Sequence, residues 1–95
     1  MITITAKHVV REDQVATFKD LAKELIKETH KEEGFVAYNL YEDIKQPNTL
    51  TFIEQWKNQA ALDSHMASAH FKRLVPKLTD LLIGKPEFNL YKQVK

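Results

Sequence analysis

The chain has 95 residues, a net charge of +1 and no cysteine. A chain this short forms one domain with a thin core, burying only about 60–65% of its unfolded surface. The charge balance excludes a strong electrostatic pull on nucleic acid or on an anionic membrane. The lack of cysteine excludes a disulfide scaffold, a thiolate zinc site and a cysteine nucleophile.

No apolar run approaches the ~20 residues of a membrane span, and the opening Met1–His8 is too polar for a signal peptide. The expectation is a single soluble, cytoplasmic domain over residues 1–95 with no membrane or nucleic-acid partner. Two glycines and three prolines leave little room for long irregular loops.

Ile2, Ile4 and Ala6 alternate with Thr3, Thr5 and Lys7, which predicts a strand over residues 1–10. Arg11 to Gln14 is a polar break whose acids suit a helix N-terminus. Val15, Phe18, Leu21, Ala22, Leu25 and Ile26 recur at three and four, predicting a helix over about residues 12–31. Gly34 stands where a left-handed helix cap is expected.

Residues 35–43 and 49–57 read as two strands of a hairpin, joined by the turn chemistry of Pro47 and Asn48. Asn58 is a suitable N-cap for a short helix over 59–66, and Ser68 for another over about 69–83. Pro76 lacks an amide donor and is expected to bend or break that helix. Phe88 to Val94 alternates again and closes the chain as a strand.

The order is β-α-β-β-α-β with the second helix split, which is the ferredoxin-like α+β pattern. It implies a four-stranded antiparallel sheet with its helices on one face. Large side chains fall on both sheet faces: Val36, Tyr38 and Leu40 oppose Phe35, Ala37 and Tyr41, and Phe52 and Trp56 oppose Ile53. A broad apolar face is rarely left in water. The helix-free face is therefore expected to pack on a second copy, giving a homodimeric barrel.

The passage from Phe52 to Phe71 concentrates the chemistry. It holds the only tryptophan, Trp56, and two of the four histidines, His65 and His70. His65 lies on the apolar stripe of the short helix. Its ordinary pKa near 6.5 suits a general base, although a histidine there also reads as a core-edge residue bonded to a backbone carbonyl.

Around His65 the expected substrate contacts are Phe52, Trp56, His70 and Phe71, with Tyr38 and Asn39 from the second strand. Tyr38 and Asn39 point to opposite faces, so only one of them can share a given pocket. Trp56 reads more readily as core than as cavity wall. Glu54 reads either as a half-buried carboxylate with a raised pKa, or as half of a cross-strand salt bridge with a lysine or a subunit contact, the latter preferred.

His8 reads as a strand-edge residue and His30 as an exposed helix end. His65 and His70 are five apart, not the four of a helical zinc pair, so no metal is expected. Neither glycine belongs to a phosphate loop.

Several of these features together resemble the antibiotic biosynthesis monooxygenase domain family of small dimeric α+β barrels. They are Glu32-Glu33-Gly34, Tyr38 with Leu40, Phe52-x-Glu54-x-Trp56, and Ala61-Leu62-x-x-His65 followed by His70-Phe71. The resemblance implies a monooxygenase without metal, flavin or haem, acting on a small quinol or phenol with dioxygen. The substrate itself supplies the electrons.

Other branches of the family act as isomerases on small phosphorylated signals, for which Lys7, Lys72 and Arg73 are the cations to consider. A non-catalytic dimeric ligand-binding module is a further alternative. In the haem-degrading branch a tryptophan falls where His65 stands here. Val75 and Ala6 fall near the positions of that branch's axial histidine and asparagine, so haem ligation is not expected.

Overall fold

A computed structural model describes residues 1–95. The elements are β1 (Ile2–Val9), α1 (Val15–Thr29), β2 (Phe35–Glu42), β3 (Thr49–Trp56), α2 (Gln59–Met66), α3 (Ala69–Thr79) and β4 (Glu87–Lys92). The strands form one antiparallel sheet in the order β2-β3-β1-β4. This is the expected ferredoxin-like arrangement. No helix is long and apolar enough to cross a membrane.

The period of two along β1 sends Ile4, Ala6 and His8 inward, while Lys7 faces out. Leu50, Phe52, Glu54 and Trp56 of β3 join them on the same face. Against that face α1 lays Phe18, Ala22 and Leu25, and α3 lays Leu74 and Leu78. Each helix buries one stripe at three- and four-residue spacing.

The helix-free face carries Thr3, Thr5, Lys7, Thr51 and Gln55 as well as Tyr41, Ile53 and Tyr91. It is more mixed than the sequence reading supposed. Its three large side chains are still about half exposed, at 50%, 39% and 52%.

Several local expectations change. Pro76 does not break α3, which runs on to Thr79. The proline is exposed, so the Lys72 carbonyl that it leaves without an amide partner lies on the water side of the helix. Beyond Thr79 the helical pattern ends, and Leu82 forms an isolated bridge to Val10 instead of a further turn.

Glu12 to Gln14 form a separate 3₁₀ turn ahead of α1. His8 is not at an edge, because β1 lies between β3 and β4. A bulge between Phe35 and Ala37 shifts the register, and Phe35 packs against the core edge instead of standing with Ala37 and Tyr41.

Gly34 does not cap α1, which ends on His30 in an ordinary right-handed conformation. Its φ of +82° lies in the loop before β2, and a Cβ there would stand 2.6 Å from the Cβ of Ala61. The missing side chain lets this loop press on α2. The Lys57 amide donates to the Gly34 carbonyl at 2.9 Å and fixes the approach. The same loop carries Glu32.

Candidate functional site

Two capped helices present the site. Asn58 accepts the Ala61 amide at 2.9 Å and starts α2. Ser68 accepts the Phe71 amide at 3.2 Å, starts α3 and donates its hydroxyl to the His65 carbonyl at 2.6 Å. The joint between the helices is therefore tied at His65. Leu62 and His65, three residues apart, both turn into the sheet.

His65 is 2% exposed. Its ring lies 4.4 Å from Trp56, 5.1 Å from Phe71 and 5.2 Å from Tyr38, centre to centre. Nδ1 is 2.8 Å from Oε2 of Glu32. A carboxylate accepts, so Nδ1 carries the proton and donates. The same oxygen takes a second bond, from Nε2 of His70, at 2.6 Å. No protein group bonds Nε2 of His65, and that atom is not sealed away from space. The ring as a whole lines a cavity.

That cavity has a volume of about 280 Å³. Ile4, Leu62, Phe71, Phe88 and Leu90 make it mostly apolar, and Glu54 and His65 are its titratable walls. A void of about 30 Å³, the space of roughly one water, continues behind Glu54 toward Tyr38, Phe52 and His8. A larger, open crease at the other end of the sheet holds the exposed Lys19–Glu42 ion pair and no converging chemistry.

Electrostatics follow from burial. Loss of water pulls the His65 pKa below its ordinary value, opposed by the bond and charge of Glu32. His65 is thus a neutral imidazole at neutral pH. Burial pushes the Glu54 carboxyl up to about 7, despite the hydrogen bond that its Oε1 accepts from Trp56 Nε1 at 2.9 Å. Burial raises the Tyr38 phenol as well, with the charges of Glu54 and Glu32 adding to the effect.

Each expected residue can now be placed. His65 and Phe71 line the cavity. Tyr38 and Phe52 reach only the small void. Trp56 is fully buried and backs His65, as core. His70 stands outside the cavity, on the far side of Glu32 from His65. Asn39 is exposed on the helix-free face, because the period of two that buries Tyr38 turns its neighbour outward.

Glu54 makes no salt bridge. Its register partners are Ile4 and Tyr38, so no lysine faces it. His8 is 4% exposed, packed among Phe18, Phe52 and Phe88, with Nδ1 3.0 Å from the Ala6 carbonyl.

Glu32 had no assigned role in the sequence, and Phe88 and Leu90 were read only as strand residues. The signals available for Glu32 were its place in the Glu32-Glu33-Gly34 motif and its nearness to Gly34, a residue that licenses close packing. With His65 and His70, Glu32 offers three ligand atoms within 4.8 Å of one another, a donor set invisible in the sequence spacing.

Relatives agree with this architecture. A conserved protein from Methanosarcina mazei has a crystal structure that superposes with a TM-score of 0.95 at 40% identity, covering 97% of this chain and 91% of that one. The Bacillus subtilis protein named "Putative monooxygenase YcnE" is 34% identical over 82 residues, 86% of each chain. A Synechocystis protein is 34% identical over 91 residues, 96% of this chain, which spans 62% of that relative's length. The family model described as antibiotic biosynthesis monooxygenase matches residues 1–77. By that match, over most of its length, the chain belongs to the antibiotic biosynthesis monooxygenase family.

Proposed function

We propose that the protein is a cofactor-independent monooxygenase that oxidises a small quinol or phenol with dioxygen, with His65 as the general base. The observation that carries this reading is the orientation of His65. Glu32 holds its Nδ1–H, which leaves the Nε2 lone pair without a protein partner on a ring that lines a mostly apolar cavity. At about 280 Å³ that cavity is at the small end of ligand sites, and it suits a flat molecule of one or two rings.

The chemistry needs little more. A phenol has a pKa near 10, and Nε2 accepts its proton. Ion-pair formation with the resulting imidazolium is favoured by Glu32 behind the ring. The phenolate passes an electron to dioxygen, and the radical pair recombines to a peroxide that takes back the proton from the imidazolium; cleavage of its O–O bond with loss of the hydrogen on the same carbon releases water and leaves the carbonyl product. The mostly apolar lining lowers the local polarity around these steps.

An isomerase acting on a phosphorylated signal would need cations at the cavity, and none lines it. Lys7 faces away on the bare side of the sheet, and Lys72 and Arg73 are exposed.

The test is oxygen uptake with chemically reduced naphthoquinones, without added metal or flavin. Wild type is expected to exceed the uncatalysed rate, and His65→Ala to fall toward it. Equal rates in the two proteins would remove His65 from this role. The reading includes a homodimer formed through the sheet face bearing Tyr41, Ile53 and Tyr91. Light scattering at micromolar concentration is expected to give twice 11.1 kDa.

A further inference from the structure

We infer that Glu32, His65 and His70 form a binding site for one divalent first-row metal ion of the zinc or iron(II) class. Two imidazole nitrogens from different helices, His65 Nδ1 and His70 Nε2, are aimed at a single point. That point is now filled by Glu32 Oε2, at 2.8 and 2.6 Å. All three ligand atoms lie within 4.8 Å of one another. Metal–nitrogen bonds of about 2.0–2.1 Å would require only small ring movements toward an ion near that position, with the carboxylate withdrawing to become the third ligand.

The parts are held to different degrees. His65 is clamped between Trp56 and Phe71. Glu32 sits in the loop between α1 and β2, and its only ion-pair partners are the two imidazoles, so no lysine or arginine holds it. The side chains of Glu32 and His70 are 14% and 17% exposed, which leaves a solvent side for water to complete the coordination shell.

Two imidazoles and one carboxylate suit zinc or iron(II), not magnesium or calcium, which take oxygen ligands. Coordination through Nδ1 of a neutral ring also places the ring proton on Nε2. The ion and a basic Nε2 at the cavity therefore exclude one another.

Calorimetric titration of untagged protein with zinc chloride tests the site by binding alone. One ion per chain is expected, with affinity lower by roughly tenfold or more in His70→Ala and in Glu32→Gln. Nitrogen-15 NMR of the histidine rings should show His65 Nδ1 and His70 Nε2 moving on titration while His8 and His30 stay. Circular dichroism checks that the variants fold, and Glu32→Gln is nearly isosteric. No saturable binding, unchanged affinity in both variants, or shifts at His8 or His30 instead would overturn the site.

Discussion

His8 and His65 are both buried imidazoles, 4% and 2% exposed, and burial lowers the pKa of both. They differ in what surrounds them. His8 bonds a backbone carbonyl within its own strand and is enclosed by three phenylalanine rings. His65 bonds a carboxylate from a distant loop and opens on a cavity. Burial and a shifted pKa therefore do not make a site. An external partner that fixes the tautomer, together with space for a second molecule, separates a working imidazole from a structural one.

The sharpest way to break this contrast is to compare the two rings by substitution. His65→Ala is expected to lower oxygen uptake by about 10²–10⁴-fold, the usual worth of a positioned base. His8→Phe keeps an aromatic ring in place and should leave uptake within a few-fold. Equal losses in the two variants would mean that the cavity does not distinguish them.

The next effect concerns Glu54 and stability. Its carboxyl titrates near 7 in the folded chain against an ordinary 4.5. The native state thus holds the proton through that window while the unfolded chain has released it. Stability is lost as pH rises from about 4.5 to 7 and stays reduced above, by at most about 3 kcal/mol. Glu54→Gln keeps an acceptor for Trp56 and has no charge to bury. Relative to wild type, its denaturation midpoint should rise between pH 5 and pH 8.

His8 and His65 act in the opposite direction. Their folded pKa values are lowered, so the unfolded chain protonates first and stability falls as pH drops below about 6.5. His8→Phe should soften that acid-side loss. A stability difference between wild type and variant that stays constant with pH would deny the burial argument for the group replaced.

The smallest expected effect tests how the partner reaches His65. Gly34→Ala puts a Cβ 2.6 Å from Ala61 and a side chain at φ +82°. It should cost about 1–3 kcal/mol of stability and push the loop bearing Glu32 off α2. The His65 ring signals in NMR should shift with it. A variant of wild-type stability and unchanged ring signals would show that the close approach is dispensable.

Much of the fold was legible in the chain because it rests on local periodicity. The alternation in β1 and the spacing of Phe18, Ala22 and Leu25 each name an element and its inward face. Pro76 misled because a proline's effect depends on which side of the helix it occupies, and that side faces water. His8 misled because a strand's rank in the sheet is not written in the strand.

The site was legible only in part. His65 and Phe71 could be found from their stripe, but Glu32 lies 33 residues from His65, and nothing local pairs them. For Glu54, the sequence showed an acid between two aromatics but not that Ile4 and Tyr38 would flank it.

By itself, then, the sequence determined the element order, the inward faces and the concentration of aromatics and histidines between Phe52 and Phe71, since these follow from neighbours a few residues apart. Tertiary structure alone decided which imidazole meets a carboxylate, which acid is left without a cation, and where the cavity opens. Those depend on contacts between distant segments, set by how the helices and the Gly34 loop close over the sheet.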